Sequence, residues 1–412
     1  MTSKTRALRQ IKAIFFSVSE VASNLKETFI IAILSKNLYI CNMEQKKRVK
    51  FVNKEKTQFL KTLKQRVDQY FEENHIDRQG NSTMYFKSFV LLSMYILPVV
   101  ALYAYHLPWW GVLICFIISG FGVAGVGMGV MHDANHGAYS HNKVINTIMG
   151  GTLNLLGGFD VNWRFQHNIL HHTYTNITHV DEDIDQRVNM RWSPYFKYHP
   201  MQRYQYIYAF FAYCLATWSW TFIKDYKQFY SYAYNGVNKS SKSQKAFDLF
   251  KLIAFKIFYY FYILIIPIAV LHYSAGLIIG GFMLCHAIGG LVLSTVFQLA
   301  HVVEGAEFPM PNEKGEIENE WAIHQMQTTA DFGHSNKLLT WYAGGLTHQI
   351  EHHIFPDICH VHYPAIAPIV KDTAEEFGVP YNYNDGYFSA LASHIRMLKK
   401  FGLQSDFDLA NS

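Results

Sequence analysis

The sequence predicts an all-α integral membrane protein with four transmembrane helices in two hairpins and a cytoplasmic helical cap. Three observations carry that expectation. Half of the 412 residues are hydrophobic while only 16% are charged, four stretches are apolar over the length a bilayer requires, and basic residues collect on one side of them.

Residues 1–42 come first and carry little. They lack the charged start, apolar middle and small-residue cleavage site of a signal peptide, and the apolar stretch Thr28 to Leu34 is too short to span. Met43 directly precedes a lysine-rich run, so residues 1–42 are expected to be a non-native or disordered extension. Residues 43–85 form an amphipathic cytoplasmic segment. Lys46, Lys47, Arg48, Lys50, Lys54, Lys56, Lys61 and Lys64 stud its first half, and Phe59, Leu60, Leu63, Val67, Tyr70 and Phe71 recur at helical spacing, which predicts a surface helix.

Four spans are expected at about 86–106, 109–130, 255–272 and 275–298. The links within each pair, at Leu107 to Pro108 and Tyr273 to Ser274, are very short and carry no Lys or Arg, which predicts two hairpins. The long segments before the first span and from Lys224 to Lys256 are basic, which places both on the cytoplasmic side. Two further apolar pieces are read as re-entrant or interfacial. Ile145 to Phe159 is short and glycine-rich, and Tyr206 to Phe222 is crowded with Tyr and Trp, which prefer the interface.

The charge balance of 36 Lys and Arg against 31 Asp and Glu is mildly basic, and the excess sits beside apolar segments. That suits a membrane surface and excludes a nucleic-acid groove. Five cysteines, Cys41, Cys115, Cys214, Cys285 and Cys359, lack CxxC spacing, which predicts reduced thiols.

The 21 histidines need a reason. His132-Asp133-Ala134-Asn135-His136 follows the second span, and on a helix its two imidazoles share one face. His167-Asn168-Ile169-Leu170-His171-His172 repeats the i, i+4 pair and adds a neighbour turned about 100° away. Gln349-Ile350-Glu351-His352-His353 puts Gln349, His352 and His353 within one turn, and His301 stands just past the fourth span. A lone HxxxH is weak. All of these clusters fall on the cytoplasmic side of the four-span topology, a coincidence that surface or satisfied core histidines would not produce. Seven box histidines with His301 exceed the ligand need of one ion and imply two. Imidazole alone does not choose among iron, copper, zinc and nickel. A redox metal beside a lipid-facing pocket points to O₂ chemistry and so to iron.

These residues resemble the membrane fatty acid desaturase family: HDANH, HNILHH and QIEHH match its three histidine boxes in order and spacing. His136-Gly137, Trp163 with Arg164, His172-Thr173-Tyr174-Thr175-Asn176 and Gly344-Gly345-Leu346 are similar to the family's surroundings, and the likeness runs from about Lys50 to the C-terminus. Residues 86–412 would be the desaturase domain. A glutamine opening the third box resembles the front-end subgroup, which inserts a double bond between an existing one and the carboxyl end. Bacterial linoleoyl-CoA desaturases look similar.

The resemblance implies a di-iron centre held by His132, His136, His167, His171, His172, His352 and His353, with His301 as an eighth ligand. Gln349 stands where other subgroups carry a ligand histidine. It would bind iron through its carbonyl, hold an iron-bound water, or only shape the pocket. The family's water-holding asparagine has no match, because Phe297 falls at that spacing. Asp133, Glu351, Asn176 and the Asp181-Glu182-Asp183 run are read as partners that orient imidazoles or hold water, with solvated side chains as the plain alternative. His141, His179, His324, His334, His348, His360 and His362 lie outside the box spacing and are read as surface or supporting residues. Trp109-Trp110 reads as an interfacial anchor.

An unactivated methylene offers no acid, leaving group or electrophile, so its oxidation falls to a cofactor, and no Ser, Cys or Lys nucleophile is expected. O₂ would be co-substrate, and the acyl carrier would be CoA or a glycerolipid. The HPGG motif of a fused haem domain is missing from the sequence, so electrons would come from a separate ferredoxin or small b-type cytochrome. The expected location is a bacterial inner membrane with the site facing the cytoplasm. Fatty acid or alkane hydroxylation is the second enzyme reading. A metal-binding membrane transporter or receptor is the non-enzyme reading, and it would place ionisable residues mid-membrane rather than at helix ends.

Overall fold

The structure, a computed structural model, describes residues 49–184 and 190–403. The expectations for residues 1–42 and for a start at Met43 lie outside the described residues. The first described element, β1 (Lys50–Phe51), pairs in parallel with β2 (Glu316–Ile317), tying the N-terminal segment to the loop after the fourth span.

Helix α1 (Phe59–Glu73) buries Phe59, Leu63, Val67 and Phe71, one residue per turn. The sequence predicts a surface helix here, and the structure lays that apolar face on protein. It shares a core with Ile366, Val370 and Ala374 of a C-terminal helix. Each fully buried side chain of this size contributes roughly 1.5–3 kcal/mol, so α1 is anchored without need of lipid.

Four helices among the described residues are long and apolar enough to cross a membrane, the number expected. The first, α2 (Ser82–Ala104), starts where the Asn81 side chain accepts hydrogen bonds from the N–H groups of Thr83 and Met84 at 3.0 and 3.3 Å, which satisfies donors a helix start leaves open. Phe86, Phe89, Leu97 and Val100 are each more than half exposed along it. Apolar surface of this extent suits hydrocarbon.

The second, α3 (Trp109–His136), is the most buried of the four. It packs on α2 and on the last span, and its glycines allow the close approach. A Cβ at Gly122 would lie 2.7 Å from the Tyr95 nitrogen of α2, and one at Gly120 would lie 2.8 Å from the Cys285 carbonyl. A π-helical turn at Val126–Val130 interrupts α3. Regular helix resumes at Met131–His136 and ends on Gly137, whose φ of +82° makes the left-handed cap that glycine adopts freely.

The glycine-rich piece at 145–159 folds as short helices, Lys143–Gly150 and Thr152–Leu155. Helix α4 (Asp160–Arg164) then runs through a π-helical segment, Phe165–His171, into His172–Tyr174. The Tyr/Trp-rich stretch forms α5 (Gln205–Cys214), followed by Ala216–Ser219, Trp220–Lys224 and Asp225–Tyr234.

The third span, α6 (Lys242–Ala269), begins well before the expected residue 255. The polar residues of its first turns wind the same helix, and the Ser241 hydroxyl caps it by accepting from the Gln244 N–H at 3.2 Å. Lys256 within it is buried. Its ammonium donates to Asp225 at 2.6 Å and to the carbonyls of Gly157 at 2.6 Å and Trp220 at 2.8 Å, which fastens α6 to the segment after α5. The fourth span, α7 (Ala275–His301), packs on α3 and α5. Gly290 of α7 admits the α5 backbone, since a Cβ there would fall 2.6 Å from the Tyr213 carbonyl.

The remaining chain forms α8 (Trp321–Thr328), α9 (Gln349–Ile354), α10 (Tyr363–Glu376) and α11 (Tyr387–Phe401). A second parallel pair, β3 (Asp331–Phe332) with β4 (Tyr383–Asn384), joins the segment before α9 to the one before α11. Cys115, Cys214, Cys285 and Cys359 are free thiols, and Cys41 lies outside the described residues.

Candidate metal centre

Four helix ends bring the box histidines together. His132, His136, His167 and His352 form one group and His171, His301 and His353 another. Within each, the facing ring nitrogens lie within 4.8 Å of one another. His132 and His136 reach the first group as an i, i+4 pair on the last turns of α3. On α9, His352 joins that group while His353 joins the other. Gln349 lies one turn before His353, and its amide nitrogen is 3.0 Å from His301 Nε2 and 3.3 Å from His353 Nε2.

The second box departs from the expected pairing. His167 to His171 lie in the π-helical segment, where the repeat is i, i+5 instead of i, i+4. His172, not His171, therefore comes under His167, with their Nε2 atoms 3.2 Å apart. His171 is turned toward the second group, with its ring 4.7 Å from His301 and 4.8 Å from His353. One extra residue in the turn lets a single box serve both groups.

Side chains behind the rings set their orientation. The His171 Nδ1–H donates to Asp181 at 2.9 Å, and that carboxylate also accepts the backbone N–H groups of Asn176 and Asp183 at 3.0 and 2.9 Å. The His353 Nδ1–H donates to the Gln325 amide oxygen at 2.8 Å. His352 Nδ1 lies 3.3 Å from the Tyr363 hydroxyl. Trp163 stacks on His167 at 4.4 Å and meets His132 and His136 edge-on.

Burial, reinforced by neighbouring imidazoles, holds His167, His172, His352 and His353 well below the ordinary histidine range, so these rings are neutral lone-pair donors at neutral pH. His171 differs. Burial pulls it down, but the charge and hydrogen bond of Asp181 outweigh that and raise it.

The set fits a metal. His136 Nε2, His171 Nε2 and His352 Nε2 are buried without a hydrogen-bond partner, a costly condition for a polar atom. His132 Nε2 and His172 Nε2 each crowd His167 Nε2 at 3.2 Å. Imidazoles converging on common points, with the outer nitrogens of His171 and His353 already bonded, are what a cation requires.

The other expected residues take varied places. Asp133 accepts from His360 at 2.7 Å and lies 3.5 Å from His132 Nδ1. Asn176, at φ +58°, donates its amide to the carbonyls of His301, Glu307 and Thr328 at 3.0 to 3.1 Å, so it pins the end of α7. Glu351 is turned to Asp331 and Tyr381, whose hydroxyl donates to Asp331 at 2.7 Å and lies 3.1 Å from Glu351 Oε1. Burial and the Asp331 charge hold the Glu351 carboxyl well above the usual range. Phe297 packs its ring 5.1 Å from His171 and 4.7 Å from His301. His324 is buried and bonded to the Thr175 carbonyl at 2.9 Å, and burial depresses it to about 4. His334 stacks on His348 at 3.8 Å, His362 bonds the Gln79 carbonyl, and His179 packs on Phe196. His141 is exposed beside Asp77. Gln325, Tyr363 and Lys87 escaped the sequence reading, since each comes to the centre from a distant element with no box of its own.

A cavity of about 380 Å³ opens against His132 and His167. Met128 and Met131 of α3, Leu293 and Phe297 of α7, and the Ala212 to Lys224 segment wall it, with Glu182, Asp183 and Lys224 among its polar lining. Its walls are mostly apolar, as an acyl chain would need.

Comparison with known proteins gives the family. The profile of the fatty acid desaturase family matches residues 107–385. An sn-1 linoleoyl-lipid 6-desaturase from Arthrospira platensis is 38% identical over 84% of this chain and 94% of its own length. A protein of the same name from Synechocystis sp. is 35% identical over 87% of this chain and 99% of its own. An acyl-lipid (8-3)-desaturase from Physcomitrium patens is 34% identical over 87% and 75%. With four apolar helices, converging histidines and these relatives, the chain belongs to the fatty acid desaturase family, as an oxidoreductase of the front-end type.

Proposed function

We propose that this protein is a di-iron, O₂-dependent front-end desaturase acting on the acyl chain of a glycerolipid. The observation that carries the reading is the pair of imidazole groups, with unpartnered inward nitrogens, set against an apolar cavity. Two irons, if held by His132, His136, His167, His172 and His352 on one side and His171, His301 and His353 on the other, would supply the O₂ reduction that takes two hydrogens from adjacent methylenes. With two electrons and two protons added, the products are the alkene and two waters.

The chain's own residues would do the rest. Asp181 and Gln325 hold the Nδ1–H of His171 and His353 outward, which keeps each Nε2 lone pair aimed inward. Trp163 and Phe297 wall the rings on the cavity side and keep water from the reacting carbon. The cavity walls hold the acyl chain so that one methylene pair faces the centre. A lipid ester is favoured over CoA by the cavity's charge. Lys224 is the one Lys or Arg among its described lining residues, beside Glu182 and Asp183, a poor match for the phosphates of CoA. The printed names of the relatives, linoleoyl-lipid 6-desaturases among them, point the same way.

The lysine-rich approach to α2 and the basic start of α6 support two helical hairpins with the histidine ends and the polar cap in the cytoplasm, in a bacterial inner membrane. Electrons would come from a separate ferredoxin or small b-type cytochrome.

The test is expression in a host lacking the product, with gas chromatography and mass spectrometry of its lipids. A new double bond on the carboxyl side of an existing one, found in glycerolipid, is the expected result. A hydroxylated chain with no new double bond would overturn it. His353→Ala should abolish product while the protein stays in the membrane, and retained activity would remove the site assignment.

A further inference from the structure

Lys87 is a cation inside the apolar helix α2, with only 1% of its surface exposed. A buried lysine at membrane depth is expensive and points to a role with a named partner. Its stem lies along Gly129 of the π-helical turn of α3, where a Cβ would sit 3.1 Å from Lys87 Cε. Its ammonium reaches His360 Nε2 at 2.7 Å and lies 5.7 Å from the Trp341 ring centre.

The next link is equally short, and the last is a longer charge contact. His360 Nδ1 is 2.7 Å and its backbone N–H 3.0 Å from Asp133 Oδ2, and Asp133 Oδ1 lies 3.5 Å from His132 Nδ1. Donor and acceptor roles follow from chemistry. An ammonium has no lone pair, so it donates and His360 Nε2 accepts. His360 then carries its proton on Nδ1 and gives it to Asp133. The opposite tautomer would set a bare Nδ1 against a carboxylate oxygen at 2.7 Å, two acceptors facing each other.

We propose that Lys87 is a positioning residue for His132. Its ammonium fixes the His360 tautomer, His360 holds Asp133 by side chain and backbone, and the Asp133 charge, 3.5 Å from His132 Nδ1, favours the His132 proton on that nitrogen so that Nε2 presents its lone pair to the centre. The Lys87 charge and the Asp133 charge cancel across the neutral ring, which explains why both stay buried. The same geometry accounts for Asp133, Cys359 and His360, which meet closely enough to hold an ion. The Lys87 ammonium already stands on that cluster, so it acts as a relay and not as a third metal site. The inference rests on the proposed metal centre.

The test compares variants of the purified, iron-loaded full chain by iron content, by the rate of iron loss to a ferrous chelator, and by Mössbauer spectrum. Losing such an outer partner weakens a metal site about 10–100-fold, so Lys87→Met should lose one of two irons at least about tenfold faster. Lys87→Gln, whose amide N–H still donates to His360 although the charge is lost, should hold iron clearly better than Lys87→Met. His360→Asn, whose amide donates to Asp133 unaided, should make iron retention indifferent to Lys87→Met, and this pair decides the matter if Lys87→Met alone does not fold. Wild-type loss rates and spectrum in Lys87→Met would overturn the proposal while leaving the centre standing. So would equal damage from Met and Gln at this position. A wild-type protein that takes up no iron would overturn both.

Discussion

Asp181→Asn is a sharp perturbation of the centre, because it changes one charge and almost no volume. Asp181 and His171 are both fully buried, and the His171 Nδ1–H bond to the carboxylate is 2.9 Å long. A charge-assisted bond of this kind contributes about 1.5–3 kcal/mol, and the cost falls on His171, the only second-box ring in the group with His301 and His353. An asparagine can still accept one of the N–H groups now bound by Asp181, but its one neutral oxygen draws the imidazole proton outward less strongly than the carboxylate does. Outer-partner loss typically costs 10–100-fold in metal affinity, or about 1.4–2.8 kcal/mol. Iron would therefore fall from two toward one per chain under a chelator that leaves the wild type loaded, measured by plasma mass spectrometry on protein in detergent. Glu304→Gln, which breaks an exposed pair with Arg396, serves as the control and should change nothing, since such pairs contribute about 0–1 kcal/mol. Unchanged iron content and chelation rate in Asp181→Asn would refute the claim that this carboxylate orients a ligand.

Ala216→Phe places a ring in the cavity wall. Turnover of a long acyl chain should drop at least about tenfold relative to a shorter one with iron content unchanged, and an unaltered chain-length profile from lipid chromatography would show that the acyl chain lies elsewhere. Buried His394 accepts from Tyr213 and donates to the Val302 carbonyl, and burial depresses it to about 4 from 6.5. The unfolded chain thus takes up this proton first. The stability is complete above about pH 6.5 and is lost as pH falls toward 4, by on the order of 3 kcal/mol; thermal melts in detergent should show this slope in the wild type and a shallower one in His394→Asn. Gln349→His would add an imidazole beside His301 and His353 and should slow iron loss from that side several-fold, a gain that chelation kinetics would detect.

The four spans were legible because apolar length is a one-dimensional signal, and the box histidines because their spacing is local. What the sequence did not show depends on contacts between distant segments. The apolar stripe of α1 reads the same whether lipid or protein covers it, and distant residues such as Ala322 and Met326 of α8 and Ile366, Val370 and Ala374 of α10 decide for protein. The start of α6 at Lys242 was hidden because its first turns are polar, and hydropathy sees a span only where the helix enters apolar surroundings. In the second box the regular-helix assumption misassigned the partner of His167, since no residue in HNILHH announces a π-helical turn. Gln325, Tyr363 and Lys87 left no trace, being ordinary residues given a task by tertiary placement.

Two departures from the family's pattern, Phe297 and Gln349, lie far apart in the chain and meet at the same half of the centre. Phe297 packs against His171 and His301, and Gln349 turns its amide to His301 and His353. The other half gathers His132, His136, His167 and His352, with His172 Nε2 against His167. One half thus offers five imidazoles and the other three with an amide and an apolar ring. Neutral amide oxygen is a weaker donor than imidazole to a borderline metal, so the two irons would be held unequally, and the looser one lies beside Phe297, a cavity-lining residue. An ion with fewer fixed ligands keeps a position open for a small exogenous ligand, and here that position would lie behind Phe297, the residue by which this half reaches the cavity. The substitutions that look like losses by sequence therefore fall on the half that meets the cavity only through Phe297, while His132 and His167 of the half that Lys87, His360 and Asp133 brace line that cavity directly.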